Sequence, residues 1–494
     1  MITSPAFSGK RYAVLGLARS GLATVEALLA SGASVTAWDA DEIKRDVLIL
    51  PGTGRGTGEG GGGGSPSSAT LADSPLHHPA DGPPPHAVHR EELVLADPLE
   101  IDLTGYDAII VSPGVPLNKH PIAAHAKAAG VPVIGDIELF AQARASLPPH
   151  KVVGITGTNG KSTTTSLVCH LLESAGVPAR AGGNIGVPVL GTDPLQAGGV
   201  YVLELSSYQI DLTFSLACDV AVLLNITPDH LDRYGSFEAY AASKERLFQM
   251  QAANQHAIFG ASDNETRAIA RIEASRREPG RVRLVDGADL ASLQKEWPSL
   301  QGPHNLQNAA VAVAIVEALG VKKAQWKKAL RTFSGLPHRM ERVAEANGVL
   351  YINDSKATNP ASAAPAIAAF PPEMRDGRLQ PRLHWILGGL PKGDTLDECT
   401  PFFGNVAAAY TIGDAGPLFA EILAPHTRVH NSEMMAEAIR EAMAAAQPGD
   451  VVMLSPACAS FDQFRDFEAR GQAFRQIVDA LLAPEENAAT GSIA

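Results

Sequence analysis

Residues 154–164 read Gly-Ile-Thr-Gly-Thr-Asn-Gly-Lys-Ser-Thr-Thr. The preceding run, Lys151 to Thr156, is apolar and β-branched, and the following one sets Leu167, Val168, Leu171 and Leu172 on a single helical stripe. The spacing therefore predicts a strand, a glycine loop and a helix in that order. Such a loop binds phosphate because its backbone N–H groups, with those of the first helical turn, point at the anion while the helix dipole favours negative charge. Lys161 is the residue expected to reach the β- and γ-oxygens, and the Ser162 hydroxyl suits magnesium. The general pattern wants glycine six positions before the lysine; Ile155 stands there, and the early glycine is Gly157. Gly157, Thr158, Asn159, Gly160, Thr163 and Thr164 complete the candidate phosphate loop.

Outward from this loop, apolar runs recur, each followed by a Gly-containing turn and a helical stretch, which is the alternation of parallel α/β sheets. A first block opens with a strand at Arg11 to Leu17, turns at Gly16 to Gly21, runs a helix to about Ser31 and has a second strand at Ala33 to Trp38. From Pro51 to Pro85, 17 of 35 residues are Gly or Pro, with five consecutive glycines at 60–64. Such a stretch cannot offset its ordering entropy by burial and reads as a flexible insertion without chemistry. Leu147-Pro-Pro-His150 marks a boundary. Further strands are expected at Gly199 to Leu205 and Asp219 to Asn225, with a capped helix from about Ser236 and a long one from His304 to Leu319. Ser334-Gly-Leu-Pro337 opens a third block, with strands at Val349 to Asn353, Leu383 to Gly388, Ala408 to Ile412 and Val451 to Leu454. The expectation is an α/β protein of three domains, at 1–149, 150–336 and 337–494, with a frayed tail from about Glu485.

The length of 494 residues fits three domains at about 150 residues each. With 53 acidic against 40 basic side chains the formal charge is −13, and no basic stripe interleaved with aromatics appears, so nucleic acid is not an expected partner. Cys169, Cys218, Cys399 and Cys458 lie far apart without CxxC spacing, which excludes a zinc knuckle or disulfide framework from sequence and suits a reducing cytoplasm. No apolar run is long enough to span a bilayer and none resembling a leader precedes Arg11. A soluble, cytoplasmic monomer acting on small molecules is expected.

Other residues carry chemistry. Glu204 ends the strand Val200 to Leu205, at the edge where α/β sheets present ligand-binding groups; it reads either as a second magnesium ligand or as a solvated acid. Asp229, His230 and Asp232 cluster in the loop Asn225-Ile-Thr-Pro-Asp-His-Leu-Asp-Arg-Tyr234, a ligand candidate. Lys244, on the next helix, reads by itself as a solvated surface lysine. Asn305 and Asn308 share a helix face, where their amides either bind a base or cap the helix. Gly16-Leu-Ala-Arg-Ser-Gly21, with Ala18 in the middle place, is one residue short of GxGxxG, and Asp39 follows about twenty residues on. That loop suits a nicotinamide dinucleotide or any other diphosphate, since both need amides around the anion. Ser112-Pro-Gly-Val-Pro116 forms a further wall of it.

GTNGKST, LELSSYQ around Glu204, NITPDH, HNLQN, LPHR at 336–339 and NDSKATNP at 353–360 together resemble the ordered motif series of the Mur ligases, the ATP-dependent amide ligases of peptidoglycan precursor synthesis. Within that family, NDSKATN and Ser455-Pro-Ala-Cys-Ala-Ser-Phe-Asp-Gln-Phe464 are similar to the branch that adds D-glutamate to UDP-N-acetylmuramoyl-L-alanine. The resemblance implies an N-terminal Rossmann-like nucleotide-sugar domain, a central P-loop ATPase-type domain and a C-terminal Rossmann-like domain. It implies transfer of the ATP γ-phosphate to a carboxylate, giving an acyl phosphate that the amine of D-glutamate attacks. Two magnesium ions are implied, one at Ser162 and Glu204 and one at His230 and Lys244, with Lys244 carbamylated so that an ammonium becomes a carboxylate-like ligand. Lys161, His230 and Lys244 are the implied catalytic residues. Asn305, Arg339 and Asp354, beside His338 and Lys356, are placed at ATP. Gly16, Leu17, Ala18, Ser20, Gly21, Asp39, Asn184 and His230 are placed at the UDP substrate, and Thr358, Lys392, Ser460, Phe461 and Phe467 at D-glutamate. Read singly, Phe461 and Phe467 are helical core residues.

Overall fold

Uninterrupted β-branched and apolar runs become strands covered on both faces, because crossover helices pack on either side of a parallel sheet. Ala108–Val111, Val220–Leu223 and Val451–Leu454 are buried along their whole length. The computed structural model describes residues 1–49 and 92–483, so the Gly/Pro insertion expected at 51–85 and the tail from Glu485 lie outside it. The described chain divides into two compact units, one formed by 1–152, 181–218 and 229–252, the other by 153–180, 219–228 and 253–494.

The first unit contains a five-stranded parallel sheet of β1 (Arg11–Leu15), β2 (Ser34–Trp38), β3 (Leu93–Leu95), β4 (Ala108–Val111) and β5 (Val133–Ile134), in the order β3-β2-β1-β4-β5. Arg11 pairs with Ser34 on one side of β1, and Tyr12 with Ala108 on the other. The winding reverses beside β1, so a crevice opens at the carboxyl ends of β1 and β4, the place where such sheets bind ligands. Ala13, Leu15, Ile109 and Val111 point to one face and pack on Ile122 and Ala126. The strand expected at Arg11 to Leu17 stops at Leu15, because Gly16, whose N–H still donates to the Trp38 carbonyl of the paired strand, takes a φ of 94° that leaves the extended region. The same unit holds β8 (Gly199–Glu204), the end of β7 (Ala179–Gly183) and the helix Phe237–Gln249, whose N-cap Ser236 accepts from the Ala239 N–H.

In the second unit, β6 (His150–Thr156), β9 (Val220–Leu223), β10 (His256–Gly260) and β11 (Val282–Val285) run parallel in the order β11-β10-β9-β6, with Val153 opposite Val220. The helix Lys161–Ser174 follows β6, and the helix Pro303–Ala318 packs against it; the latter is apolar nearly all round and accordingly buried. The rest of this unit is built on β12 (Glu341–Ala346), β13 (Val349–Asn353), β16 (Leu383–Gly388), β17 (Val406–Ile412), β18 (Arg428–Glu433) and β19 (Val451–Leu454), ordered β12-β13-β19-β16-β17-β18. Only β12 runs antiparallel, against β13. A separate hairpin joins β14 (Glu373–Arg375) to β15 (Arg378–Gln380). Period-two alternation divides the large sheet's side chains. Val451 and Met453 join Ile352, Trp385 and Leu387 under the helices Pro360–Ala368 and Gly416–Leu423. Val452 and Leu454 join Tyr351, Ile386 and Tyr410 under Met435–Ala445 and Phe467–Leu482. Each such apolar side chain contributes about 1.5–3 kcal/mol. All four cysteines are free and buried, and burial pushes the thiols of Cys169, Cys399 and Cys458 up to about 12.

Candidate functional site

The phosphate loop joins β6 to its helix, with Gly157 and Gly160 at positive φ and Gly160 in the N-cap position. Lys161 folds back over the loop, its Nζ donating to the carbonyls of Gly157 at 2.9 Å and Thr158 at 2.8 Å. The loop is bolted to the segment leaving β9. The Thr158 N–H donates to the Asn225 carbonyl, the Asn159 N–H to Asn225 Oδ1 at 2.9 Å, and Asn225 Nδ2 returns a bond to the Asn159 carbonyl at 3.0 Å. Thr158 Oγ1 both accepts from the Thr227 N–H and donates to the Thr227 carbonyl. Sequence reasoning missed this role of Asn225 and Thr227; the only signal was an Asn and a Thr at the carboxyl end of an apolar strand.

Arg339 enters the same region. Its guanidinium donates to Ser162 Oγ at 3.0 Å, and its charge acts on Asp354. Asp354 is buried, accepting from the Ser455 hydroxyl at 2.8 Å and the Met340 N–H at 3.1 Å. Burial raises its pKa to about 7, opposed by those two bonds and by Arg339. His338 and Met340, on either side of Arg339, hold left-handed backbone angles of 62° and 48°. His338 Nδ1 meets Asn353 Nδ2 at 2.9 Å, and burial lowers its pKa despite the attraction of Glu341. Asn305 and Asn308 are both buried on the helix Pro303–Ala318; Asn305 Nδ2 donates to the Gln301 carbonyl, which satisfies the turn before the helix. Their neighbour His304 is kept neutral at pH 7, because burial lowers its pKa to about 4.

Three loops leave the carboxyl ends of the adjacent strands β13, β19 and β16. They carry Thr358, Ser460 with Phe461, and Lys392. Lys392 Nζ lies 3.4 Å from Thr358 Oγ1, and Ser460 is buried. Phe461 overturns the expectation of a helical core residue: it lies in a turn and is 69% exposed. Phe467 does begin a helix, but half-buried, its ring carrying the Lys356 ammonium at 3.8 Å. A cation on the ring face draws the aromatic to the loop and away from the core.

In the first unit, the helix Arg19–Ala30 starts after Ala18 with no side-chain cap, leaving its first amides facing the crevice of β1 and β4. The turn from Gly16 is fixed by Ser112, whose Oγ donates to the Gly16 carbonyl at 3.0 Å, and by Asp39, whose Oδ2 accepts from the Leu17 N–H at 2.7 Å. Burial pushes the Asp39 carboxyl up, but the N–H groups of Asp41 and Leu17 and the Lys44 ammonium outweigh it, so its pKa lies below the ordinary value. Ser20 and Gly21 line a small cavity with Thr24, Ser112 and Asp136.

Glu204 is 2% exposed, which removes the solvated reading. Its Oε1 accepts from Asn184 Nδ2 at 2.9 Å and its backbone carbonyl from the Asn184 N–H at 2.8 Å, while Oε2 is buried with no hydrogen-bond partner among the described residues. Gly183 makes this approach possible: it sits at φ 85°, and a β-carbon there would lie 2.1 Å from the Glu204 carbonyl oxygen. A buried carboxylate oxygen without a donor is a vacancy suited to a cation. His230 also holds a left-handed angle, 52°, at the start of a short helix; its ring lies 5.0 Å from that of Tyr208 and its Nε2 3.6 Å from Asp229. Among the described residues no three His, Cys, Asp or Glu side chains form a metal-holding group. Lys244 is 1% exposed, which overturns the surface-lysine reading; its Nζ lies 4.6 Å from the centre of the Tyr240 ring. A helix position packed against Ser207–Asp211 explains the burial. Its helix of mixed polar and apolar residues gave no sign of it.

Residues 155–286 match the family described as Mur ligase middle domain, and residues 338–458 the one described as Mur ligase, glutamate ligase domain, together more than half of the chain. The protein of Novosphingobium aromaticivorans named UDP-N-acetylmuramoylalanine–D-glutamate ligase is 62% identical over 486 residues, 98% of each chain. That of Sphingopyxis alaskensis with the same name is 55% identical over 98% of this chain and 100% of its own. Among solved structures, the UDP-N-acetylmuramate-alanine ligase of Thermotoga maritima shares the fold with a TM-score of 0.53 at 15% identity, covering 96% of this chain and 99% of that one.

Proposed function

The chain belongs to the Mur ligase family, and from that premise we propose the route by which its residues carry out the ATP-dependent addition of D-glutamate to UDP-N-acetylmuramoyl-L-alanine in peptidoglycan synthesis. The observation that carries the choice of amino acid is the 62% identity, over 98% of both chains, with a protein named for that reaction. The division of labour among domains at 1–149, 150–336 and 337–494 is part of the proposal, as are a cytoplasmic setting and a monomeric state. Among the described residues no helix is long and apolar enough to cross a membrane.

At the ATP end, Lys161 exchanges its two loop carbonyls for phosphate oxygens, while the amides of Gly157 to Thr164 take the remaining negative charge. Arg339, already on Ser162, grips the transferring group, and Asn305 faces the base. Magnesium would be held by Ser162 and Glu204 at one place, and by His230 and carbamylated Lys244 at the other. The orphan oxygen of Glu204 and the enclosure of Lys244 away from solvent fit that donor set. When bound, such ions neutralise the repulsion between a carboxylate and a triphosphate. Asn184 orients the muramoyl-alanine, whose carboxylate accepts the γ-phosphoryl group to give an acyl phosphate. The loop from Gly16 to Gly21, with Leu17, Ala18 and Ser20, takes the UDP diphosphate, and Asp39 the uracil end. Thr358, Lys392, Ser460, Phe461 and Phe467 hold D-glutamate so that its amine attacks the acyl carbon and phosphate leaves.

The test is release of ADP and phosphate with UDP-N-acetylmuramoyl-L-alanine and each of D-glutamate, L-glutamate, L-lysine and meso-diaminopimelate. Turnover confined to D-glutamate is expected. Faster turnover with any of the others would overturn the reading.

A further inference from the structure

Arg470 lies in the first turns of the helix Phe467–Leu482, is 1% exposed, and makes no contact with solvent that would explain a guanidinium there. Its guanidinium makes four hydrogen bonds of ordinary length to the described residues. Nε donates to Ser355 Oγ at 3.0 Å, one terminal nitrogen to the Ala459 carbonyl at 3.1 Å, and the other to the carbonyls of Ser355 at 2.9 Å and Cys458 at 3.0 Å. Among the described residues none goes to a carboxylate, although the charge of Asp462 acts on Arg470 without a hydrogen bond. The same group fills the space beside Gly389, where a β-carbon would stand 3.1 Å from it. Leu390, the next residue, exchanges both backbone hydrogen bonds with Ala459.

One side chain thus ties the loop leaving β13 at Ser355 to the loop leaving β19 at Cys458 and Ala459, and the loop leaving β16 at Gly389 and Leu390 is joined to them through the Leu390–Ala459 backbone pair. Three residues past Ser355 comes Thr358, two past Leu390 comes Lys392, and one past Ala459 comes Ser460. We propose that Arg470 is the positioning residue for the amino-acid substrate: it sets the mutual register of the three loops that hold D-glutamate, and as a buried cation without an acidic hydrogen-bond partner it adds a positive field for a substrate bearing two carboxylates. A planar fork of five donors suits this task as a lysine cannot, since only it reaches separate carbonyls in fixed directions. Burial lowers its pKa to about 10, which still leaves it charged at pH 7. The proposal rests on the D-glutamate reading of Thr358, Lys392 and Ser460.

The experiment compares Arg470→Lys with wild type in steady-state assays that vary ATP, UDP-N-acetylmuramoyl-L-alanine and D-glutamate in turn. The KM for D-glutamate is expected to rise at least 10-fold while the other two KM values stay within about 2-fold. A uniform change in all three KM values and kcat, or no change, overturns the proposal. Arg470→Ala should recover part of its D-glutamate affinity with millimolar methylguanidinium and none with methylammonium; equal effects of the two also overturn it. If neither variant folds, Ser355→Ala removes the Nε partner together with the Ser355 hydroxyl's bond to the Phe467 carbonyl and should raise the D-glutamate KM selectively by about 3-fold, and an unchanged or unselective KM counts against the role. Failure of wild type to use D-glutamate at all would instead reject the reading on which the proposal stands.

Discussion

Lys161, Lys244 and Asp354 are three ionisable side chains in three different surroundings. Lys161 lies against two carbonyls of its own loop, a geometry that an arriving phosphate can displace without moving the backbone. Lys161→Ala should lower turnover on the order of 10²-fold or more, because one charge on the β/γ-phosphates is lost; turnover within about threefold of wild type would reject the phosphate role. Lys244 is sealed from solvent, and if its carbamate is what matters, the missing group is a negative oxygen. Lys244→Ala should then be inactive and regain activity with added acetate at fixed magnesium and ionic strength, whereas loss without rescue speaks for a cationic role. Asp354 is the pH-sensitive member. Its pKa of about 7 lies above the unfolded value of 3.8, so the folded protein keeps a proton that the unfolded chain has released. Stability therefore falls as pH rises from about 4 to about 7, and the penalty is fully present above that window. Asp354→Asn should flatten the fall in melting temperature between about pH 5 and pH 8; parallel curves for variant and wild type would refute it.

Among the elements, the meeting of β7 with β8 leaves no room for a side chain at Gly183. Gly183→Ala should cost ~1–3 kcal/mol from its left-handed angle alone, and more from the clash with the Glu204 carbonyl, so its melting temperature and any Glu204-dependent magnesium affinity should fall together. A stable variant with unchanged metal dependence would show that this contact yields. The strands themselves were legible: Val349–Asn353, Leu383–Gly388 and Val451–Leu454 occupy the residues read from the sequence, because fully buried parallel strands are continuous apolar runs with sharp polar ends. The strand, glycine loop and helix around Lys161 were legible too, since strand, glycines, Lys-Ser and helix are contiguous. What escaped was whatever depends on residues distant in sequence. Nothing in Phe-Glu-Ala-Arg470 announces a link to Ser355 and Cys458, and nothing in Asn225 announces that it pairs with Asn159. The burial of Lys244 and the exposure of Phe461 depend on packing that one helical stripe or one motif does not encode.

At the scale of the whole molecule, the described chain packs its core on layered sheets, and 17 of the 35 residues at 51–85 are Gly or Pro. Deleting residues 54–84 should leave the ligase reaction and the melting temperature nearly unchanged, because such a segment offers few groups to pack. Loss of UDP-substrate affinity alone would assign it to the site, and loss of folding would make it structural. The four cysteines offer a different use of the same layers. Every thiol is enclosed, and three are held almost wholly in the unreactive protonated form, so an alkylating reagent meets no nucleophile on the resting enzyme. The pace of alkylation is then a clock for breathing of the fold, with Cys458 registering the loops at the amino-acid end and Cys169 the helix behind the phosphate loop.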